Sequence, residues 1–198
     1  MIRLPCHTKG QKIGLLGGSF NPAHDGHVYI SKEALKRCRL DQVWWLVSPQ
    51  NPLKPVRDMA PLDQRVTAAR AIVTDRRIKV LDVERHFKSA YTSDTLKTLH
   101  SISPGVDFFW MMGADNLVQI DNWHNWRQIF QTTAVMVFDR RPYSRQARTA
   151  KAARVFKKSQ LSVRKLQKRA LFSCLPAWGF VSIRPNLLSA TEIRRGQF

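Results

Sequence analysis

The stretch KIGLLGGSFNPAHDGH, residues 12–27, decides the predicted fold of this chain. It begins with a short apolar run, Lys12–Gly17, which predicts a buried strand that ends at glycines. The segment Gly26–Arg37 has apolar residues at helical spacing, so we expect a strand, a glycine-rich turn and a helix. Glycines permit a sharp turn and a close approach to a ligand, and a helix N-terminus attracts anions. This turn is therefore predicted to hold a phosphate group.

The alternation of strand and helix continues along the chain. Further strands are predicted at Gln42–Ser48, Ile78–Val83, Asp107–Met112 and Ala134–Phe138, and helices at Leu62–Thr74, Thr92–Ile102 and Trp126–Phe130. Because alternating strands and helices are joined by right-handed crossovers, this pattern predicts an α/β fold with a doubly wound, mainly parallel sheet. In such sheets the ligand lies outside the carboxyl ends of the strands. The site is therefore expected in the turns that follow the strands.

Composition limits the class of protein. With 198 residues, 43% of them hydrophobic, the chain can form one core, and we expect a single domain over residues 1–198. The net charge of +19 indicates anionic partners such as nucleotides, nucleic acid or a membrane surface. Three widely spaced cysteines without a CxxC pair favour reduced thiols. Because no apolar run suits a membrane helix or a signal peptide, we expect a cytoplasmic protein without a membrane partner.

Much of the excess charge lies in the segment Arg140–Arg169. This segment contains twelve lysines and arginines, and no acidic residue occurs between Arg140 and Glu192. A solvated helical excursion over the edge of the sheet, around residues 140–170, is the favoured interpretation. A docking face for RNA or an acidic protein is the alternative that the sequence leaves open.

Two histidines lie three residues apart at the start of the first predicted helix. His24 and His27 bracket Gly26, shortly after Gly17-Gly18-Ser19. At this spacing both imidazoles can donate hydrogen bonds into the same phosphate-sized volume. A single histidine would more often be structural, whereas a pair in this setting favours a functional role. The turn lacks the patterns of a P-loop and of the GxGxxG dinucleotide fingerprint, so a different phosphate-binding family is indicated.

The turn resembles the HxGH signature of the nucleotidyltransferase superfamily, and Leu188–Arg194 resembles its second signature, (I/L)SxTxIR. Within that superfamily the chain is similar to the nicotinate mononucleotide adenylyltransferases. The segments that carry this similarity are Gly113-Ala114-Asp115, Trp123-x-x-Trp126, Tyr91–Leu96, Asn51–Lys54 and Arg140–Pro142. The resemblance extends from Lys12 to Arg194 and implies a Rossmann-like nucleotidyltransferase fold.

The resemblance implies that the enzyme transfers the adenylyl group of ATP to nicotinate mononucleotide, releasing pyrophosphate in a step of NAD biosynthesis. The mononucleotide phosphate would attack the α-phosphorus in line, so catalysis requires positioning and charge neutralisation. It implies that His24 and His27 donate to the ATP phosphates, with His27 at the reacting α-phosphoryl group. Mg²⁺ would be carried by the ATP phosphates and water, and no protein metal ligand is expected.

The resemblance also implies two sets of binding residues. Those for ATP are Gly17, Gly18, Ser19, Phe20, His24, His27, Gly113, Asp115, Ser189, Thr191 and Arg194. Those for the mononucleotide are Ser19, Asn21, Lys54, Thr92 and Trp123. Trp123 would stack on the pyridine ring, Thr92 would bind its substituent and Lys54 would meet the phosphate. Structural roles stay open for three of them: Trp123 as core, Lys54 as a solvated lysine and Asp115 as a helix cap.

Two features depart from the family pattern. Asn21 stands where many nicotinate-type members carry Asp, and the chain ends at Phe198, where relatives usually continue into one more helix, so a truncated C-terminal helix is expected. Three alternative classes are disfavoured. A phosphopantetheine adenylyltransferase should lack the Gly-x-Asp and Trp-x-x-Trp segment, and an aminoacyl-tRNA synthetase fragment should carry a KMSKS-like motif. Nucleic acid is not expected as a partner, because no nucleic-acid-binding signature occurs.

Overall fold

The computed structural model describes residues 2–49, 59–87, 89, 91–168 and 174–184. Six strands lie in these residues: β1 (Lys12–Gly18), β2 (Gln42–Val47), β3 (Ile78–Leu81), β4 (Asp107–Gly113), β5 (Ala134–Phe138) and β6 (Trp178–Val181). The α-helices are α1 (Asp25–Arg37), α2 (Leu62–Ile72), α3 (Thr92–Ile102), α4 (Ala114–Gln119), α5 (Trp126–Thr132), α6 (Ser144–Thr149), α7 (Lys151–Val155) and α8 (Val163–Leu166).

All six strands belong to one sheet with the order β3-β2-β1-β4-β5-β6, and each neighbouring pair is parallel. The prediction of a doubly wound α/β fold is therefore confirmed, and the described sheet is parallel throughout rather than mainly so. The strand order changes direction between β1 and β4. Ligands of such sheets bind outside the carboxyl ends of the strands at this switch point. The turns after β1 and β4 are consequently the first place to look for a site.

The boundaries of some predicted elements were wrong. The helix predicted at Leu62–Thr74 ends at Ile72, because the backbone at Val73 is already extended on its way to β3. The strand predicted at Ile78–Val83 ends at Leu81, and the residues Val83–His86 form a 3-10 turn. Neither α4 nor β6 was predicted, because runs of six and four residues are too short to give a clear periodicity.

Two cores cover the two faces of the sheet. Neighbouring residues of a strand point to opposite faces, so Trp44 and Trp45 of β2 enter different cores. Residues of α3, α4 and α5 pack on the face that contains Trp44, whereas residues of α1 and α2 pack on the face that contains Trp45. Because both faces are buried, the strands are apolar throughout instead of alternating. This explains the continuous apolar runs in β2 and β4.

The segment after β5 forms the helices α6, α7 and α8. It is anchored by buried residues such as Ala147, Phe156 and Leu166, while its cations point outward. The name basic face is used here for ten exposed cations: Arg141, Arg145, Arg148, Lys151, Arg154, Lys157, Lys158, Arg164, Lys165 and Lys168. No helix in the described part of the chain is long and apolar enough to cross a membrane.

Candidate active site

The turn after β1 leads from the switch point of the sheet into α1. We call residues 17–27 the phosphate cradle. Its left-handed backbone conformation lies at Phe20, with φ of 47°, and not at Gly17 or Gly18. The phenyl ring of Phe20 is buried and stacks on Trp45, with 4.9 Å between ring centroids. The expectation that the glycines make the sharp turn was therefore wrong, because packing of the Phe20 ring fixes this conformation instead.

A neighbouring aromatic ring leaves no space for a side chain at Gly17. A Cβ atom at this position would lie 2.3 Å from a ring carbon of Trp110 on β4. A Cβ at Gly18 would make only an ordinary contact of 3.5 Å with Phe20. The absence of a side chain at Gly17 thus lets the indole of Trp110 lie directly against β1.

The two histidines of the cradle form a reciprocal cap at the start of α1. The Nδ1 atom of His24 accepts a hydrogen bond from the N–H of Gly26 at 3.1 Å, and Nδ1 of His27 accepts from the N–H of His24 at 3.2 Å. A neutral imidazole has one acceptor nitrogen and one donor nitrogen. Because Nδ1 is the acceptor in both rings, each neutral ring carries its proton on Nε2. The helix cap therefore fixes which nitrogen of each ring is available as a donor.

The electrostatic environment keeps His24 neutral. Burial, and then the nearby charge of Arg140, lower the pKa of His24 to about 4, while Asp25 opposes this shift. The ring centroids of His24 and His27 lie 3.9 Å apart, and the ring of His27 lies 4.7 Å from that of Phe20. Two imidazolium ions at such a separation would repel each other. The neutral ring of His24 can thus donate a hydrogen bond to an anion from Nε2.

The turn after β4 contributes a carboxylate at the same end of the sheet. Asp115 accepts a hydrogen bond from Arg140 at 2.9 Å, and its other oxygen would lie 2.3 Å from a Cβ at Gly113. The Asp115 side chain therefore folds back over Gly113. The helix α4 is capped at Gly113 without any side-chain hydrogen bond, so Asp115 is not the cap residue. Arg140 thus donates to Asp115, and its charge also lowers the pKa of His24. No role was predicted for Arg140 from the sequence.

A second region lies at the start of α3. Thr92 is the first residue of this helix, and Tyr91 before it stacks on His124 with 4.3 Å between ring centroids. Trp123 is half-buried and meets Trp110 edge to face at 6.5 Å. The buried indole nitrogen of Trp123 has no hydrogen-bond partner among the described residues. The structure therefore brings Thr92 and the Trp123 loop together through the contact between Tyr91 and His124.

A buried carboxyl group supports this second region. Glu84, in the 3-10 turn after β3, accepts a hydrogen bond from the hydroxyl of Thr95 at 2.9 Å and also has a side-chain hydrogen bond with Ser48. Burial raises the pKa of Glu84, although these hydrogen bonds oppose the shift. Glu84 thereby joins the ends of β2 and β3 to the first turns of α3. Sequence analysis missed it, because a single glutamate in the segment LDVERH has no motif around it.

A second residue that sequence analysis missed is Arg65 of α2, which is only 3% exposed. Its guanidinium donates to backbone carbonyls that follow both β1 and β2. One signal could have found it. Arg65 lies in the apolar stripe of its helix with Leu62 and Ala69, where a charge is unusual.

Several predicted site residues lie outside the described part of the chain. These are Lys54, Ser189, Thr191 and Arg194, together with the C-terminal helix that was expected to be truncated. Asn21 is described, and its side-chain oxygen accepts a hydrogen bond from the N–H of Ala60 at 3.3 Å. Ser19 is half-buried, and its carbonyl oxygen accepts from Arg65. In the described residues no group of three or more His, Cys, Asp or Glu side chains could hold a metal ion.

The stretch that contains both histidines falls within the match to a known family. The model of the cytidylyltransferase-like family matches residues 15–196, which include the phosphate cradle and all six strands except the first three residues of β1. The chain belongs to the cytidylyltransferase-like family. The family of the sequence-based resemblance is thereby confirmed.

The curated relatives place the chain within one branch of this family. A protein of Roseobacter denitrificans is 46% identical over 96% of this chain and 94% of its own length. A protein of Parvibaculum lavamentivorans is 43% identical over 98% of this chain and 96% of its own length. Both are named "Probable nicotinate-nucleotide adenylyltransferase". These similarities confirm the predicted enzyme class.

A solved structure agrees on the fold. The nicotinic acid mononucleotide adenylyltransferase of Plasmodium falciparum, complexed with NaAD, superposes with a TM-score of 0.70 over 93% of this chain and 83% of its own. The two sequences are 17% identical, so this likeness concerns the fold alone. It confirms the Rossmann-like nucleotidyltransferase architecture.

Proposed function

We propose that this cytidylyltransferase-like protein transfers the adenylyl group of ATP to nicotinate mononucleotide, giving nicotinate adenine dinucleotide and pyrophosphate in NAD biosynthesis. The observation that carries the proposal is the capped pair His24 and His27 at the switch point of the sheet. Both rings offer Nε2 donors at a helix N-terminus, which favours phosphate. The names of the relatives supply the second substrate.

In this mechanism an oxygen of the mononucleotide phosphate attacks the α-phosphorus of ATP. The new P–O bond forms as the bond from the α-phosphorus to the bridging oxygen of the β-phosphate breaks, and that oxygen leaves with pyrophosphate. No covalent intermediate on the enzyme is needed. His27 donates to the α-phosphoryl oxygen on which charge develops, and His24 donates beside it. Such donors stabilise a transition state because they are already oriented before the reaction.

Mg²⁺ enters in this proposal as part of the substrate. Three ATP phosphates and water are the ligands that this hard cation prefers. We therefore assign no protein ligand to the ion, which enters the site bound to ATP.

The remaining roles belong to the same proposal. Gly113 and Asp115 lie along the adenosine, and Ser19, Phe20 and Asn21 contribute backbone and side-chain contacts near the joining phosphates. Ser189, Thr191 and Arg194 hold the β- and γ-phosphates, and Lys54 meets the mononucleotide phosphate.

For the mononucleotide we propose that Thr92 and the first N–H groups of α3 bind the ring carboxylate, while Trp123 contacts the pyridine ring. The N-terminus of a helix is favourable for a carboxylate. An amide would bring N–H donors against these donors, and an unpaired buried donor costs about 1–3 kcal/mol. We therefore expect roughly tenfold to a hundredfold preference for nicotinate over nicotinamide mononucleotide.

The experiment is a comparison of substrates. The full chain is incubated with ATP and Mg²⁺ and with nicotinate mononucleotide, nicotinamide mononucleotide or phosphopantetheine, while pyrophosphate and dinucleotide are measured. Nicotinate mononucleotide should give the highest kcat/KM, and phosphopantetheine should give none. Equal rates with the two mononucleotides would overturn the choice of substrate but not adenylyl transfer. Absence of pyrophosphate with all three would overturn the proposed function.

Three broader predictions accompany this function. They are a single domain over residues 1–198, a cytoplasmic location, and nucleotides rather than nucleic acid as partners. A filter-binding titration of RNA over a salt series tests the last of them, because binding through phosphate contacts depends steeply on salt.

A further inference from the structure

Arg65 is a buried cation with no carboxylate among its hydrogen-bond partners in the described residues. Its Nε donates to the carbonyl of Ala60 at 2.8 Å, and one terminal nitrogen donates to the carbonyls of Ser19 at 2.6 Å and Ser48 at 2.8 Å. The other terminal nitrogen donates to the carbonyl of Pro49 at 2.9 Å. Burial lowers the pKa of Arg65, but arginine stays protonated in proteins. Four of its five N–H groups are thus used on backbone carbonyls.

One of these carbonyls, that of Ser19, belongs to the phosphate cradle, and the others belong to segments next to it. Ser19 follows β1 directly, Ser48 follows β2 directly, and Ala60 precedes α2. The N–H of Ala60 also donates to the side chain of Asn21 in the cradle. One planar guanidinium therefore ties the ends of two adjacent strands to the start of the helix that carries it.

The bond to Ser19 fixes the orientation of one peptide group. The carbonyl of Ser19 and the N–H of Phe20 belong to the same planar unit and point in opposite directions. Because the carbonyl is held by Arg65, the N–H of Phe20 points away from Arg65. No hydrogen bond from this N–H to another described residue is present, and Phe20 as a residue is 2% exposed. Because a backbone N–H is rarely left without a partner in a folded protein, this group is available to an acceptor atom of a ligand.

The same peptide group precedes the strained residue of the cradle. Phe20 has φ of 47°, a left-handed conformation that a bulky residue avoids unless its surroundings impose it. The stacking of its ring on Trp45 restrains the side chain of Phe20, and the hydrogen bond from Arg65 to the carbonyl of Ser19 restrains the preceding peptide group. Release of either restraint would allow the peptide group to rotate.

We propose that Arg65 is a positioning residue for the reaction: it holds the Ser19–Phe20 peptide group so that the N–H of Phe20 donates to a phosphate of the bound nucleotide. This inference rests on the proposed function for the identity of the nucleotide. Arg65 itself does not touch the substrate. Its four bonds need the forked shape of a guanidinium, which the single ammonium of lysine cannot reproduce.

The test compares the variants Arg65→Lys and Arg65→Gln with Arg70→Gln, a matched control on the exposed side of the same helix. Kinetics are measured at a temperature well below each variant's melting temperature, and rates are expressed per folded enzyme. Misplacement of a group by about 1 Å can cost on the order of a hundredfold in rate. We expect kcat to fall roughly tenfold to a hundredfold in both Arg65 variants, and Arg70→Gln to keep the wild-type kcat.

The lysine variant distinguishes a need for the hydrogen bonds of the guanidinium from a need for its positive charge alone. If a positive charge alone were needed, Arg65→Lys would retain nearly full kcat, and the proposal would be overturned. If Arg65 served stability alone, both variants would melt at lower temperature but keep kcat per folded molecule, which would also overturn it. Rates that fall together in both variants support the role in positioning.

A measurement on the wild-type chain covers the case in which neither variant folds. The amide signal of Phe20 in a ¹H–¹⁵N spectrum should shift when Mg–ATP is added, because its N–H gains a phosphate partner. An unshifted Phe20 signal at saturating Mg–ATP would refute the proposal. This reading needs no mononucleotide, so it is independent of whether nicotinate mononucleotide is the second substrate.

Discussion

The phosphate cradle and the basic face differ in how their donor groups and cations are surrounded. In the cradle, the Nδ1 atoms of two histidine rings accept hydrogen bonds from backbone N–H groups, and the buried Arg65 donates to the carbonyl of Ser19. On the basic face, ten cations are exposed, and the ion pair of Lys151 with Asp121 at 3.5 Å is long. The cradle is thus ordered by many partners, whereas the basic face is directed mainly to solvent.

The position of charged residues in a sequence therefore does not by itself identify a binding site. Exposed charges are screened by water and salt, so each contributes little to any one contact. Donors held in a partly buried cleft act more strongly and need no reorganisation when charge develops. The net charge of +19 can concentrate anions near the protein, whereas the proposed chemistry depends on the oriented donors of the cradle.

The largest effect is expected from His27→Ala in the cradle. Loss of one preoriented donor to a developing charge costs about 3–4 kcal/mol, or on the order of a hundredfold or more in turnover. Steady-state pyrophosphate release measures this. The matched control is His7→Ala, because His7 packs on Trp44 at the amino end of the sheet. Near-normal turnover in a folded His27→Ala variant would show that His27 is not needed for catalysis.

A smaller but clear effect is expected from Gly17→Ala. The added Cβ would meet the ring of Trp110 at 2.3 Å, and both lie in the packed sheet. Such overpacking costs about 1–3 kcal/mol in the free energy of unfolding. Chemical denaturation measures it, with Gly18→Ala as control because its Cβ would make an ordinary contact at 3.5 Å. Equal loss of stability in the two variants would contradict the special packing of Gly17.

The third prediction concerns pH and His24. Its pKa is lowered from 6.5 to about 4 in the folded chain, so the unfolded chain binds the proton more readily between these values. The contribution of His24 to stability is therefore fully present above pH 6.5 and is lost as the pH falls towards 4.

Melting temperatures over this pH range test the third prediction with His24→Asn, since asparagine is a good helix cap without an ionisable ring. When the pH is lowered, the melting temperature of the variant should fall less than that of the wild type. Part of the loss should remain, because burial also lowers the pKa of His100. Identical pH profiles for variant and wild type would show that His24 is not held neutral by its surroundings.

The smallest effect is expected on the basic face. Replacement of Arg154, Lys157 and Lys158 by glutamine in one variant should change kcat/KM less than about twofold at physiological salt. The reason is that exposed charges are screened there. A salt series of the same variant should show a slightly weaker salt dependence than the wild type. A tenfold loss of kcat/KM at physiological salt would instead assign the basic face to substrate binding.

Sequence patterns predicted elements well where they are long or bear a motif. The helix Thr92–Ile102 and the strand Ala134–Phe138 have the predicted bounds. The four-residue β6 escaped prediction, because its length gives no usable period. Among candidate site residues, motifs pointed to His24 and His27, whereas no motif marks Glu84.

The alternation of strand and helix, the family and the histidine pair could all be predicted from the sequence, because periodicity and motif spacing are local properties of a chain. Only the tertiary structure revealed that the sharp turn lies at Phe20 and that Gly17 accommodates Trp110. It alone placed Arg65 on the carbonyls behind the cradle, 46 residues from Ser19 in sequence. Contacts between residues far apart in the chain depend on how elements pack, and a sequence pattern shows which face of an element is buried but not which residues that face meets.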